Sequence, residues 1–246
     1  KKGKKDEIKL LDEKINYISR CQNDIIAIKN EYNKFVALHR KDDFNMKVIL
    51  VNGSPHEKGC TYTALKEIEN TLNNQDIETE IFWLGNKPIS GCLGCGSCLK
   101  TGKCFINDKV NEFLDKVEEA DGFIFGTPVH FASASGMITS FMDRAFYGRS
   151  NLFKNKPSAG IVSCRRGGAS STFDMLNKYF SMNNMPIVTS QYWNMVHGNK
   201  PEEVEQDLEG MQTMRTLANN MAWLLKCINA GKKAGIELPK NETITR

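Results

Sequence analysis

Four cysteines lie within thirteen residues, in the stretch GCLGCGSCLKTGKC that runs from Gly91 to Cys104. The chain of 246 residues contains only eight cysteines, so half of them are concentrated here. Their spacing is C-x2-C-x2-C-x5-C. Cysteines this close together can ligate a metal ion or a cluster, act as a redox dithiol or form disulfides. The candidate ligands are Cys92, Cys95, Cys98 and Cys104.

The spacing separates these chemistries. Structural zinc sites usually join two CxxC-like pairs through a longer spacer that lets the pairs converge. Here three cysteines follow one another at once, as in the ferredoxin run C-x2-C-x2-C. The residues between them are small, and glycines such as Gly94 and Gly96 allow the backbone to curl around a compact core. The stretch therefore predicts a cradle for a [4Fe–4S] cluster, with a zinc site and free or redox-active thiols as the alternatives.

Charge and hydropathy narrow the classes of partner. The net charge of +4 is accounted for by Lys1, Lys2, Lys4 and Lys5, so no basic surface is left to track a phosphate backbone and nucleic acid is not an expected partner. No apolar run approaches the roughly eighteen residues that a membrane span needs. The first ten residues lack the apolar core of a signal peptide. We expect a cytoplasmic protein without a membrane partner, in which thiols stay reduced and disulfides are disfavoured.

The N-terminal segment differs from the rest of the chain. Between residues 6 and 38 there is no Gly or Pro, and apolar residues recur at intervals of three and four. This pattern predicts one long amphipathic helix in an extension over residues 1–44, either an oligomerisation arm or a helix packed back on its own domain. The apolar stripe consists of Ile8, Leu11, Ile15, Ile18, Ile25, Tyr32 and Val36.

From Met46 onward, short apolar strands alternate with helical patterns. The predicted strands are MKVILVNG, IETEIFWLG, DGFIFGTPV, SAGIVSC and PIVTSQYW. The predicted helices are TALKEIENTL, DKVNEFLDKVEEA, SGMITSFMDRAF, STFDMLNKYFSM and a long helix over residues 202–230. This alternation predicts an α/β fold with a five-stranded parallel sheet covered on both faces. The domain would span residues 45–232, followed by a polar tail over residues 233–246.

The loop after the first predicted strand, NGSPHEKGCTYT, contains groups suited to a phosphate. It is neither a Walker loop nor a G-x-G-x-x-G turn. It does place the hydroxyls of Ser54, Thr61 and Thr63 next to backbone N–H groups at the start of a helix. Such amides and hydroxyls can replace the hydration shell of a phosphate monoester. An ordinary strand-to-helix turn with Ser and Thr caps is the alternative.

Two further strands end in loops built for close approach to a ligand. The third strand ends in GTPVHFASASG, a rigid loop with little side-chain bulk that can lie beside a flat ring. The fourth ends in SCRRGGASS, whose glycines permit close backbone approach and whose Arg165 and Arg166 favour anionic partners. In parallel sheets, ligands bind at the carboxyl ends of the strands near the switch point in strand order. Three such loops together predict one ligand site.

These segments carry a family resemblance. GSPHEKGCTYTAL, GTPVHFASASGMITSFMDR and CRRGGASSTFDMLNKYF…QYWNMVHG resemble the flavodoxin-fold NAD(P)H-dependent FMN reductases, and among them the iron–sulfur flavoproteins, over about residues 46–230. Those flavoproteins carry a similar compact cysteine motif between the second strand and the next helix. Two positions depart from the family pattern: His56 stands where Arg is usual, and Cys60 where Asn or Ser is usual.

The resemblance implies a flavodoxin-like doubly wound sheet that binds FMN. It places the phosphate in the loop of residues 54–63 and the ring between residues 128–133 and 163–168. The implied cofactor-binding residues are Ser54, His56, Cys60, Thr61, Thr63, Pro128, Val129, His130, Phe131, Ser133, Ser163, Arg165, Gly167 and Gly168. By itself, His130 is more often a structural or surface histidine than a catalytic one.

The resemblance also implies a function. We expect an FMN-dependent oxidoreductase that passes electrons from NAD(P)H or a reduced ferredoxin-like donor to a small-molecule or protein acceptor. No acid–base catalyst is expected, because the flavin carries the chemistry. Relatives of this fold work as dimers or tetramers, so a homodimer or homotetramer is expected. The alternatives are a non-enzymatic electron carrier, and an FMN, quinone or azo reductase whose cysteine loop holds no cluster but free thiols or zinc.

Overall fold

The computed structural model describes Lys14, residues 19–31 and residues 46–240. The chain divides into two units, Lys1–Asn45 and Met46–Arg246. In the first unit, residues 19–31 are helical (α1), and Ile25 of the predicted stripe is exposed. The other residues of the stripe lie outside the described residues: Ile8, Leu11, Ile15, Ile18, Tyr32 and Val36. The extent of the predicted long helix therefore stays a prediction.

A parallel sheet forms the centre of the second unit. Its strands are β1 (Lys47–Asn52), β2 (Glu78–Trp83), β3 (Gly122–His130), β5 (Ser158–Cys164) and β6 (Met195–His197). A two-residue strand, β4 (Ser133–Ala134), pairs antiparallel with the end of β3. β5 is buried throughout, and β1 and β3 are buried over most of their length. A strand buried on both faces reads as a continuous apolar run, which is why the sequence pattern identified these three.

The strand order is β2-β1-β3-β5-β6, and every pair of neighbours in it is parallel. After β1 the chain moves outward to β2 and then returns to the other side of β1 to form β3. The order therefore reverses between β1 and β3, as in flavodoxin-like sheets, where this crevice binds the ligand. The predicted flavodoxin-like α/β fold with five parallel strands is confirmed.

Helices cover both faces of the sheet. They are α2 (Cys60–Asn73), α3 (Ser97–Thr101), α4 (Lys109–Val117), α5 (Gly136–Arg149), α6 (Ala169–Met182), α7 (Pro201–Gln206) and α8 (Leu208–Lys233), with a 3-10 turn at Ser150–Leu152. One buried cluster joins α2 and α8 to the sheet, and a second joins α4, α5 and α6 to the other face. In the second cluster, the Phe113 ring of α4 lies 5.1 Å from that of Phe141 of α5. This aromatic packing fixes the two helices next to the cysteine loop.

The last predicted strand is wrong in position. Within PIVTSQYW, Ile187 makes only an isolated bridge to Ser158, and Tyr192 and Trp193 are about half exposed. The Ser190 hydroxyl bonds locally, donating to the Tyr192 carbonyl and lying 2.7 Å from Asn194 Oδ1. Such side-chain bonds favour a turn over a strand. The fifth strand of the sheet is the three-residue β6 that follows.

The long helix predicted over residues 202–230 consists of two helices, α7 and α8. The chain breaks at Asp207, whose φ and ψ of −75° and 79° are not helical. Its carboxylate accepts hydrogen bonds from the Gly210 amide at 3.0 Å and the His197 amide at 2.7 Å. Asp207 therefore caps α8 and also ties its start to the end of β6.

Candidate functional site

The loop between β1 and α2 lies at the switch point, and it leaves the N-terminus of α2 without a side-chain cap. α2 begins after Gly59, which gives it no side-chain cap. The first N–H groups of a helix have no partner within the helix, so those of α2 are available to an anion. The loop is braced from inside: Ser54 Oγ accepts from the His56 amide at 3.1 Å, and the Trp83 indole donates to the Ser54 carbonyl at 2.9 Å.

Glycines allow β1 and β3 to meet closely beneath this loop. The Gly53 amide donates to the Gly126 carbonyl at 2.8 Å. A Cβ at Gly53 would lie 2.9 Å from that carbonyl oxygen, and a Cβ at Gly126 would lie 2.9 Å from Thr61 Cγ2. Ser135, the N-cap of α5, donates to the Gly53 carbonyl at 3.0 Å. The crevice floor is therefore made of backbone and short side chains.

The Pro128–Ser133 loop is a tight hairpin in a strained conformation. Phe131 and Ala132 have positive φ angles of 50° and 58°, which non-glycine residues rarely adopt. The Ser171 hydroxyl holds the hairpin by donating to the Ala132 carbonyl at 2.7 Å. Strain of this kind persists only where the surroundings fix it, and it clusters at functional sites. Phe131 is fully exposed at the hairpin tip, and His130 is exposed beside it.

The Ser163–Gly168 loop after β5 packs directly against this hairpin. Gly168 has φ +84°, and a Cβ there would lie 2.6 Å from Ala132 Cα, so only glycine fits. The adjoining Arg165 and Gly167 are exposed, whereas Ser163 is buried. Two of the three predicted loops are therefore in direct contact.

A hydrogen bond joins the third loop to the first. The hydroxyls of Thr61 and Ser163 lie 2.8 Å apart, and both residues are buried. Thr63 instead donates to the Gly59 carbonyl at 3.3 Å, within its own turn. The structure thus brings all three predicted loops together at the carboxyl edge of the sheet. It gives Thr61 a protein partner that sequence reasoning did not foresee.

The two cysteines in these loops lie in different surroundings. The Cys60 thiol donates to the Gly198 carbonyl at 3.6 Å, and burial raises its pKa. Cys164 is buried, which likewise raises the pKa of its thiol. Because the reactive form of cysteine is the thiolate, a raised pKa disfavours reactivity at both positions.

The four clustered cysteines line one pocket between the α3 loop and α5. The pocket is partly open to solvent and is also lined by Leu93, Gly96, Phe105, Ile106, Arg144 and Tyr147. All eight cysteines of the chain are free of disulfides. Gly94 and Gly96 both have positive φ, so the loop curls as expected for glycine. A Cβ at Gly148 of α5 would lie 3.3 Å from Cys98 Cβ, which shows how closely α5 approaches the loop.

Cys104 is the most firmly anchored of the four. The Asn111 side chain accepts from the Cys104 amide at 2.9 Å and donates to its carbonyl at 2.8 Å. The Arg144 guanidinium donates to the Cys104 sulfur from Nε and Nη2, both at 3.3 Å. Burial by itself would lower the pKa of Arg144, but its bonds to Asp108 and Cys104 outweigh burial and raise it. The guanidinium beside Cys104 is therefore always charged.

Sequence reasoning missed Asp108, Asn111 and Arg144. Asp108 precedes a helical pattern and reads as an N-cap, which it is, accepting from the Val110 amide at 3.1 Å. Its contact with Arg144 spans 36 residues, so no local pattern could reveal it. In the sequence, Arg144 follows Asp143 on an amphipathic helix and looks like one of a pair of surface charges.

The arrangement of the cysteines fits a cluster. Among the residues that the structure describes, no three His, Cys, Asp or Glu side chains are grouped as ligands of a single metal ion. The four cysteines line one shared pocket. Such a space suits a group that takes several thiolates, as an iron–sulfur cluster does. None of the helices in the described part of the chain combines the length and the apolar composition that a membrane span requires.

Comparisons with known proteins agree with this geometry. Residues 46–200 match the family described as NADPH-dependent FMN reductase. An iron–sulfur flavoprotein of Methanocaldococcus jannaschii is 34% identical over 191 residues, covering 74% of this chain and 99% of that protein. Among solved structures, RosB with a bound 8-demethyl-8-formylriboflavin-5'-phosphate aligns with a TM-score of 0.60 at 14% identity, covering 82% of this chain and 90% of that one. An archaeal flavodoxin aligns with a TM-score of 0.51 at 15% identity, covering 74% and 99%.

The family match spans the sheet strands and the three loops at the switch point, and the identity to the flavoprotein extends over nearly its whole length. The chain therefore belongs to the NADPH-dependent FMN reductase family and is an FMN-dependent oxidoreductase with a flavodoxin-like fold.

Proposed function

We propose that this protein holds FMN at the switch point and a [4Fe–4S] cluster in the cysteine pocket, and that it transfers electrons between a reduced donor and an acceptor. The observation that carries the proposal is the meeting of three loops at the uncapped start of α2, together with a separate pocket lined by four cysteines beside α5. The family match and the iron–sulfur flavoprotein relatives support it.

The residues of the switch point fit a flavin mononucleotide. We assign the phosphate to the first-turn amides of α2 with Ser54, His56, Cys60, Thr61 and Thr63. We assign a single phosphate here because the loop offers one helix N-terminus and the dinucleotide fingerprint G-x-G-x-x-G does not follow β1. We assign the ring to the two packed loops, through Pro128, Val129, His130, Phe131, Ser133, Ser163, Arg165, Gly167 and Gly168.

The cysteine pocket fits the cluster through Cys92, Cys95, Cys98 and Cys104. When bound, FMN accepts hydride or single electrons, and the cluster carries one electron at a time. The chain holds the two groups, fixes the charges around them and, with glycines and short side chains, leaves space for the flavin above the crevice floor. The role needs no acid–base residue from the protein.

Donor and acceptor follow from the same chemistry. We propose NAD(P)H or a reduced ferredoxin-like protein as donor, and a small molecule or a protein as acceptor. We further propose a cytoplasmic homodimer or homotetramer. The exposed apolar residues around the cysteine pocket, Leu93, Leu99, Phe105 and Tyr147, support self-association or docking because exposed apolar surface of this kind favours a partner.

Steady-state kinetics separate an enzyme from an electron carrier. Anaerobically purified protein is mixed with NADH or NADPH and a quinone, an azo dye or free flavin, and pyridine-nucleotide oxidation is followed. Turnover with one of these acceptors supports an oxidoreductase with its own small substrate. Reduction of the bound flavin without turnover supports a carrier that passes electrons only to a docked protein. Mass analysis of the released cofactor accompanies the assay, and recovery of FAD would contradict the FMN assignment.

Single Cys→Ser replacements separate the cluster from its alternatives. A cluster predicts that each of the four replacements reduces the iron–sulfur absorbance, while FMN stays bound because its phosphate loop belongs to another strand end. A redox dithiol predicts that only two replacements matter and that iron is absent. A zinc site predicts one metal ion per chain and no colour, with any loss of electron transfer arising from unfolding.

A further inference from the structure

Arg144 has a set of partners that the binding of FMN does not explain. It lies on α5 with only 2% of its surface exposed. Two of its nitrogens donate to one sulfur, that of Cys104. Among the described residues, the sulfurs of Cys92, Cys95 and Cys98 accept no such bond. The guanidinium therefore distinguishes one of the four proposed ligands.

The same guanidinium is fixed from its other side by Asp108. Nη1 donates to Asp108 Oδ2 at 2.6 Å and Nη2 to Oδ1 at 2.9 Å, a bidentate pair. Nη1 also donates to the Ser90 carbonyl at 3.3 Å. Nη2 lies 2.9 Å from the Ile106 carbonyl as well, so its two hydrogens are shared among three acceptors. The head of Arg144 thus has little freedom to move, and it connects α5, the start of α4 and both ends of the cysteine loop.

The two donors differ in how well they suit a neutral and a charged sulfur. A protonated thiol is a weak hydrogen-bond acceptor, so its bonds to two charged donors would be weak. A sulfur that carries negative charge, as a metal-bound thiolate does, matches them well. Hydrogen bonds and net charge around the sulfurs are among the factors that set the reduction potential of an iron–sulfur cluster.

We propose that Arg144 is a positioning residue that fixes Cys104 as a ligand and raises the reduction potential of the cluster, with Asp108 as its counter-charge. The inference rests on the proposed function, in which the cysteine pocket holds the cluster. Reduction adds negative charge, so a fixed positive charge and two N–H donors stabilise the reduced form more than the oxidised form. The Asp108 carboxylate opposes this effect.

The two members of the pair give opposite predictions. Arg144→Gln removes the charge and at least one donor and should lower the potential. Asp108→Asn keeps an oxygen to cap α4 but removes the negative charge, and should raise the potential. Arg149→Gln is the matched control, because Arg149 lies on the same helix and donates to the Gly102 carbonyl of the same loop at 2.8 Å. The shifts in Arg144→Gln and in Asp108→Asn should each approach tenfold in the reduction equilibrium constant, about 59 mV for one electron, and the shift in Arg149→Gln should be smaller.

The experiment is redox potentiometry of the full-length protein, purified anaerobically and monitored by electron paramagnetic resonance, with iron and sulfide determined for every variant. Wild-type protein without iron and sulfide would overturn the proposed function itself. With wild type loaded, the inference predicts a lower potential for Arg144→Gln, a higher one for Asp108→Asn and a smaller shift for Arg149→Gln.

Equal shifts in Arg144→Gln and Arg149→Gln would overturn the inference, and so would an unchanged or lowered potential in Asp108→Asn. If Arg144→Gln retains FMN but loses the cluster, the Asp108→Asn potential decides: a rise supports the inference and no rise overturns it.

Discussion

At the scale of single residues, the three loops at the switch point are held together by short side chains that form hydrogen bonds from one loop to another. Thr61 and Ser163 connect the first and third loops, and Ser135 bonds the start of α5 to the backbone of Gly53. These groups are buried, so each lost partner leaves a polar atom with no access to water. Small substitutions here should therefore have measurable effects.

Thr61→Val should destabilise the cofactor-free protein. Valine keeps the shape but leaves the Ser163 hydroxyl buried without its partner, which costs about 1–3 kcal/mol. Urea unfolding of Thr61→Val, Ser163→Ala and the double variant forms a complete cycle. The double variant should be more stable than the sum of the single losses predicts, because it removes both polar groups. Additive losses would show that the two hydroxyls do not depend on each other.

Ser54→Ala should weaken FMN binding. Losing one hydrogen bond to a charged group costs about 1.5–3 kcal/mol, which is about tenfold or more in Kd. Fluorescence titration of the cofactor-free protein with FMN measures the change. Ser181→Ala, at an exposed serine of α6, is the control and should bind like wild type. Unaltered affinity in Ser54→Ala would remove Ser54 from the phosphate site.

At the scale of elements, β2 lies at one edge of the sheet and carries a charged group there. Glu80 lies between Lys47 at 3.1 Å and Lys116 at 2.8 Å. Burial acts to raise the pKa of Glu80, but the hydrogen bonds from Lys116 and Lys47 outweigh it and lower the pKa below its ordinary 4.5. Charged side chains on an edge strand also discourage pairing with other chains.

The Glu80 contribution should depend on pH in a definite direction. Because its pKa is lower in the folded state, the carboxylate stabilises the fold fully above pH 4.5, and this is lost as the pH falls through the folded value. Glu80→Gln should lower the free energy of unfolding by up to about 1 kcal/mol at pH 7, because Glu80 and its two lysine partners are partly exposed. Unfolding free energies at pH 7 and pH 3 test this. A difference from wild type that is as large at pH 3 as at pH 7 would contradict it.

How far the sequence predicted these elements depended on burial and on the distance between partners. The continuous apolar runs of β1, β3 and β5 could be recognised because both of their faces are covered. β6 could not, because three residues carry too little pattern and the preceding Ile187, Tyr192 and Trp193 imitate a strand. Cysteine spacing identified the candidate ligands, but the side chains around Cys104 come from α4 and α5. Their contacts arise only from the fold.

At the scale of the whole molecule, the remaining prediction concerns assembly. We expect a C2 or D2 oligomer, which is the common form of symmetric assembly. Sedimentation of the full chain and of a chain starting at Asn45 tests whether the N-terminal helix is the oligomerisation arm. If it is, the shorter chain should sediment as a smaller species. The same oligomer from both chains would show that the helix has no part in assembly.

The central claim is that one chain carries both a flavin and a cluster, in sites built from different strand ends. The most direct test is the content of FMN, iron and acid-labile sulfide per chain in protein purified without oxygen. We predict FMN together with iron and sulfide in equal amounts, about four of each per flavin. Iron and sulfide near zero beside stoichiometric FMN would contradict the claim and leave a flavoprotein whose cysteine pocket has another use.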